Sequence, residues 1–545
     1  MSRISLLGLF LLAACPSRSD VRFCNATTPC RDPAFPYCDE VTSECEAGPV
    51  GADLATAVDG GEPDFSVGDD LATTDLSPDL AADLATPPDL TTPLDLTLPP
   101  DLLQPCSGSA SCLSPATPIC DSTNLCRACT GSGDDTACVT HGLGLVCKTS
   151  GLNQGRCTDC NTNSDCAAAT PICNPDGSCR KCSGASDCAT GVCDLRAGGT
   201  NGQCAGAGDI VYVDVGAAGC GTGDGSAAKP YCQISDGVIN LGGKHFVKVA
   251  GSTTSYDGFV KTSMTNRVAY ISGPGRDAAT PATITAPTGG MADNAISFVP
   301  GNNAVDNLTF DGFIFQGTDG SVVYCDGNQG NVMTSATLTV RNSLIKGGLN
   351  GARAIRCNLT VTETIIQGPS ALGATFEGSA TWTLQNDIIS GAGTAGVSIG
   401  NASTAGGVFR FNTVAFNGSG ANFGGVLCGV ATTLESSIIT QNAQSPAGTG
   451  SQFGPAASTN CSLSKVVTGT DSIGNTGKLS GDPVFRSTTA PYDLRLKVNT
   501  NPDITTNTAC CIDQVGASGT TPILDVERDP RPKGASFDVG ADEAL

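Results

Sequence analysis

Eight charged side chains that could act on a polar ligand lie close together in the chain: Asp311, Asp319, Asp326, Arg341, Lys346, Arg353, Arg356 and Glu363. They can neutralise one another as ion pairs, or the carboxylates can hold calcium against a sugar acid while an arginine removes a proton. On the second reading Asp311, Arg341, Arg353 and Glu363 are the candidate catalytic residues and Ca2+ is the cofactor. On the first, which is the expected one, Asp311 and Arg341 form an ion pair on neighbouring coils that contributes under about 1 kcal/mol if it is exposed and needs no cofactor. Other catalytic groups are scarce. The chain has two histidines, and His245, between Lys244 and Phe246 in an expected strand, reads as structural. The single tryptophan, Trp382, falls on the apolar side of a repeat, so it reads as core rather than as a platform for sugar rings.

Sulfur is the other reactive set. The chain has 29 cysteines, and between 106 and 204 they form successive groups of four: Cys106 to Cys126, Cys129 to Cys157, Cys160 to Cys179 and Cys182 to Cys204. Cys24 to Cys45 is a separated copy. Gaps inside a group vary while each junction keeps two intervening residues, as expected of a tandem array with surface loops of different length. Units this small cannot bury a sufficient core, so disulfides must replace burial, and those need an oxidising, exported setting. Zinc held by the C-x2-C pairs is the competing reading, weakened because no second pair sits at zinc-ribbon spacing and only His141 offers imidazole nearby. Pairing within a group does not follow from spacing.

Residues 46–105 hold eleven Asp, two Glu and no Lys, Arg or Cys. Repelling carboxylates and frequent prolines bury too little apolar surface to offset ordering entropy, which predicts a disordered tether. The net charge of −23 argues against nucleic acid as a partner.

The charged cluster needs a regular frame to position it. NLTFDGFIFQG from 307, TLTVRNSLIKG from 337, NLTVTETIIQG from 358 and TWTLQNDIISG from 381 each alternate apolar positions, turn on polar residues and alternate again. VFRFNTVAFNG from 408 and TTLESSIITQN from 432 continue the series. Taking Phe310, Val340, Val361, Leu384, Phe411 and Leu434 as equivalent gives spacings of 30, 21, 23, 27 and 23 residues. Short strands at that period make a β-solenoid, with Leu308, Leu338, Leu359, Trp382 and Phe409 stacked as an internal ladder. Cys325 with Cys357, and Cys428 with Cys461, are expected to bridge adjacent coils. Cys220 and Cys232 are expected to staple a loop, and Cys510 and Cys511 have no assignment.

Two resemblances extend this reading. IVYVDVGAAGCGTGDGSAAKPYCQISDGVINLGG at 210–243 resembles the opening of bacterial right-handed β-helix proteins of the pectate-lyase-like superfold, and GDPVF at 481–485 with ERDPRPKGASFDVGADE at 527–543 resembles their closing segment. This implies an all-β chain with a right-handed parallel β-helix over 207–545, preceded by disulfide-rich modules over 106–206. It implies no activity, because the fold hosts lyases, hydrolases, adhesins and non-catalytic surface proteins. The carboxylate motifs of polygalacturonase-like hydrolases and the calcium segment of pectate lyases are both missing. LAAC at 12–15, after the apolar run from Leu6, resembles the lipobox of bacterial lipoproteins. That implies a signal peptide over 1–14, lipidation of Cys15 at the head of a short cysteine-rich module over 15–45, and a membrane anchor, with the Gram-negative outer membrane favoured. The expected product is a lipid-anchored cell-surface protein, non-catalytic, structural or in contact with polysaccharide or another surface component. A lyase or hydrolase for acidic polysaccharide, and an adhesin using the cysteine modules, are the alternatives.

Overall fold

The computed structural model describes the paired strands 37–39 and 44–46 and residues 105–543 apart from short internal stretches, the longest being 328–335, 443–451 and 469–476. The signal segment, Cys15 and the tether between 47 and 104 lie outside the described residues.

Alternating apolar residues at the predicted period build three parallel sheets of ten, ten and seven strands. One turn of chain gives one strand to each sheet: Thr337–Arg341 to the first, Leu344–Gly347 to the second and Asn350–Ile355 to the third. The next turn lies on it in register, Val340 beside Val361, Ile345 beside Ile366 and Ala354 beside Phe376. The fold is a right-handed parallel β-helix, the hand that strand twist imposes on crossovers between parallel neighbours. Its interior is a dry column: Leu308, Leu338 and Leu359 are fully buried, as are Phe310, Val340, Val361 and Leu384.

Two expected equivalences are corrected. Leu384 pairs with Phe409 rather than Phe411. The Trp382 indole, stacked on Phe376 at 4.8 Å, occupies the space of the following rung, where a Cβ on Gly407 would lie 1.9 Å from indole Cε2. Only glycine fits there, so the ladder of Leu308, Leu338 and Leu359 stops at Trp382; Phe409, expected to stack on Trp382, instead continues the neighbouring ladder of Phe310, Val340, Val361 and Leu384. Phe411 has φ 54° and packs outside the helix.

From the rung that begins at Asn307 onward, the turn between the first and second sheets passes through a left-handed residue: Gly312, Asn342, Glu363, Asn386, Phe411, Ser436 and Lys465 stack as a column. Six of these seven positions are not glycine, so the strain must be offset elsewhere. The residue after each turn does so by bonding across rungs. Thr364 N donates to Asp387 Oδ1 at 2.9 Å, Asp387 N to Asn412 Oδ1 at 3.0 Å and Asn412 N to Ser437 Oγ at 3.0 Å. A parallel ladder runs through Asn417, Asn442 and Gln452. Burial pushes the Asp387 carboxyl well above the ordinary carboxylate range.

All four described cysteine modules pair first with third and second with fourth cysteine, as in Cys106–Cys120 and Cys112–Cys126. The sulfurs that come close enough for a metal are therefore already in disulfides, which removes the zinc reading for these modules. In each module the third and fourth cysteines face each other across a two-stranded hairpin and reach back to the first two. Cys220–Cys232, Cys325–Cys357 and Cys428–Cys461 form as expected, and Cys510 bonds to Cys511. The fourth module is seated on the first sheet. Val192 and Ala205 cover the outward side chains of Ile210, Phe246 and Tyr270, and the Arg196 guanidinium lies 4.5 Å over the Phe246 ring.

The closing segment runs along the outside of the solenoid, following the left-handed column. Gly540 N donates to Ser436 O at 2.9 Å, Arg531 stacks over Phe411 at 5.1 Å, Leu524 O accepts from Asn386 Nδ2 and Arg528 reaches Glu363. This strap spans four rungs. Its own carboxylates are spent on its backbone: Asp525 accepts from Glu527 N and Asp529 N, Asp542 from Leu496 N and Glu543 from Asp538 N. Arg531, buried among them, lies 3.4 Å from Glu543.

Burial lifts the Asp542 carboxyl from 3.8 to about 7, and for the same leading reason raises Asp525 and Glu543. The folded strap thus keeps protons that the unfolded chain has already released, so this part of its stability is complete in acid and is lost as pH rises from 3.8 through about 7. We expect the melting temperature to fall between about pH 4 and about pH 7, and Asp542→Asn to flatten that fall in a calorimetric pH series. An unchanged slope would show that the strap carboxylates do not set it.

Candidate functional site

Asp311 and Arg341 end successive strands of the first sheet and pair in register. Chain alternation turns both side chains away from the core, at the lip where the left-handed column begins. Glu363 occupies that column, one residue after Thr362, the rung partner of Arg341. Arg341 Nη2 donates to both Glu363 oxygens at 3.0 and 3.1 Å, while its Nε lies 3.9 Å from Asp311 Oδ2. Asp311 accepts from the Tyr270 hydroxyl on the preceding rung and from Asn342 Nδ2 at 3.2 Å. From the strap, Arg528 brings Nη1 to 3.9 Å from Asp311 and Nε to 4.0 Å from Glu363. Arg276 donates to the main-chain oxygens of Glu363 and Val526, tying strap to solenoid.

Two carboxylates thus face two guanidiniums, and none of the four side chains is more than 16% exposed. Burial opposes the charge on Arg341, but Glu363 and Asp311 outweigh it and hold the guanidinium above its usual pKa. Burial, and then the Asp311 charge, push the Tyr270 hydroxyl well above its ordinary value, so it serves as a donor. Module and strap close the outer side. A Cβ on Gly184 would lie 3.0 Å from the Arg528 guanidinium, and a cavity of about 270 Å3 between Ser183–Ser186 and Gly273–Gly275 opens onto Asp311, Asn342 and Arg528.

The other proposed residues are not brought here. Arg353 lies in the third sheet, with Nε 3.0 Å and Nη2 3.1 Å from Glu377 oxygens. Asp326 accepts from Tyr324 on that same sheet at 2.8 Å. Asp319 is exposed in a turn, Lys346 is exposed on the second sheet, and Arg356 has φ 51° at a corner. His245 is exposed, and only its main-chain oxygen is engaged with Tyr270 N. Sequence reasoning did not find Tyr270, Arg276 or Arg528. Tyr270 lies in a strand upstream of the aligned repeats and Arg528 in a motif assigned to chain closure; nothing local marks contacts made across such separations.

The donor set does not fit calcium. The ion takes six to eight oxygens, whereas Asp311 and Glu363 each have fixed guanidiniums within 4.0 Å that a cation would have to displace. No known protein family, curated protein or solved structure matches the chain. Among the described residues no helix is long and apolar enough to cross a membrane.

If the cluster holds module, strap and solenoid together, Glu363→Ala leaves Arg341 buried without its main partner and should cost about 3–5 kcal/mol in urea unfolding. Arg353→Ala breaks a pair that is 34% and 41% exposed, and should cost under about 1 kcal/mol. Equal effects from the two would contradict this division.

Proposed function

We propose that this is an exported cell-surface protein, held at a membrane through lipid on Cys15, whose β-helix serves as a non-catalytic scaffold in contact with polysaccharide or another surface component. The observation that carries the non-catalytic part is the closure of Asp311, Glu363, Arg341 and Arg528 into a neutral, buried group. A general acid or base needs a lone carboxylate or amine within reach of substrate, and these groups are paired with one another under Gly184. The eight module disulfides support export, because such a density persists only in an oxidising compartment.

Incubating the purified protein with uronic-acid polymers and calcium should yield no ultraviolet-absorbing unsaturated product. Turnover, especially turnover lost in Arg353→Ala, would replace this reading with that of a lyase working on the third sheet. For the anchor, Cys15→Ser should release the protein from the membrane fraction and abolish incorporation of labelled palmitate. Retention with undiminished label would refute lipidation at this residue.

A further inference from the structure

The second sheet carries an outward apolar row that the charged cluster does not use. Ile314, Leu344, Ile365, Ile388, Thr413 and Ile438 follow one another in register, one per rung. The C-terminal segments cover this row from Ile388 onward, while Leu344 and Ile365 are only half-buried. Where the cover stops, the hairpin Phe485–Ser487 with Asp493–Leu496 overhangs the sheet and leaves a cavity of about 350 Å3. That volume lies in the range of small-molecule sites, about 300–1,000 Å3.

Leu344, Ile365 and Ile388 line the sheet side, and Tyr492 and Leu494 line the hairpin side. The Tyr492 ring is stacked on Phe416 with centroids 4.9 Å and planes 5° apart, so it is held in place before any ligand arrives. The polar rim consists of Gln367, Asp277, Asp493, Glu527, Arg276 and Arg495. Both arginines are already engaged: Arg495 with Asp493 and Glu527, Arg276 with Asp277 and the main-chain oxygens of Glu363 and Val526. Three carboxylates against two committed guanidiniums leave the rim at net −1, which disfavours a uronate or any other anion. Carboxylate and amide oxygens above an apolar floor suit a ligand that has many hydroxyls, no charge and one C–H face.

We infer that this cavity binds a neutral hexose unit of a polysaccharide, with the C–H face against Tyr492 and Ile365 and the hydroxyls on Gln367 and the rim carboxylates. The inference rests on the polysaccharide-contact reading above and specifies a site and an uncharged chain. Calorimetric titration of the full chain with cellohexaose, mannohexaose and trigalacturonate tests it. At least one neutral hexasaccharide should bind, and Tyr492→Ala and Gln367→Leu should each weaken that binding by about tenfold or more. Gln367→Leu changes a side chain at the cavity rim, so its melting temperature should stay at the wild-type value and keep the result readable if Tyr492→Ala fails to fold. Neutral binding that survives in Gln367→Leu overturns this site while leaving the surface-contact reading intact. Binding of trigalacturonate alone overturns the neutral ligand. Absence of binding to all three overturns both this site and the polysaccharide contact on which it rests.

Discussion

Each rung of this protein has an apolar side that it cannot bury alone, and the next rung must cover it. Because parallel strands stack at about 4.8 Å in register, a residue's neighbours are decided by its counterparts on the rungs before and after it. Val340 meets Phe310 and Val361 for this reason alone. The same stacking makes the left-handed column tolerable. Glu363 and Phe411 would be strained in isolation, yet cross-rung bonds from Asp387, Asn412 and Ser437 hold the turns that contain them.

Stacking leaves the outside of the solenoid unfinished. The outward side chains of Ile210, Phe246 and Tyr270 are apolar or aromatic, and so is the row from Ile388 to Ile438. The chain covers the first with a disulfide module that needs no core of its own and the second with the C-terminal segments. Where the module, the strap and the lip of the first sheet meet, polar groups must be buried, and they are buried as balanced charges. Asp311 and Glu363, which the sequence also offers as candidate catalytic carboxylates, face Arg341 and Arg528 in the structure. What remains open lies further along the second sheet, beyond the edge of the cover.

Much of the architecture could be read before any coordinates. The repeat from 307 onward, the ladder as far as Trp382, the Asp311–Arg341 adjacency and the bridges Cys325–Cys357 and Cys428–Cys461 follow from period-two alternation and a repeat of similar shape, and the Cys220–Cys232 staple from two cysteines in one opening loop. The slip at Phe411 marks the limit of pattern reading. Both Phe409 and Phe411 satisfy alternation, and only the volume of Trp382 against Gly407 decides between them.

The amino-acid order alone determined what depends on neighbours within a rung or one rung away: strand face, turn position, the division into cysteine modules and solenoid, and the charge pairs between successive coils. The tertiary structure decided whatever requires distant segments to meet. The strap along the left-handed column, the seating of Gly184 over Arg528 and the cavity beside Tyr492 arise from contacts between segments far apart in the chain. No local periodicity encodes those contacts, because their free energy comes from surface shape and desolvation that exist only once the rungs are stacked.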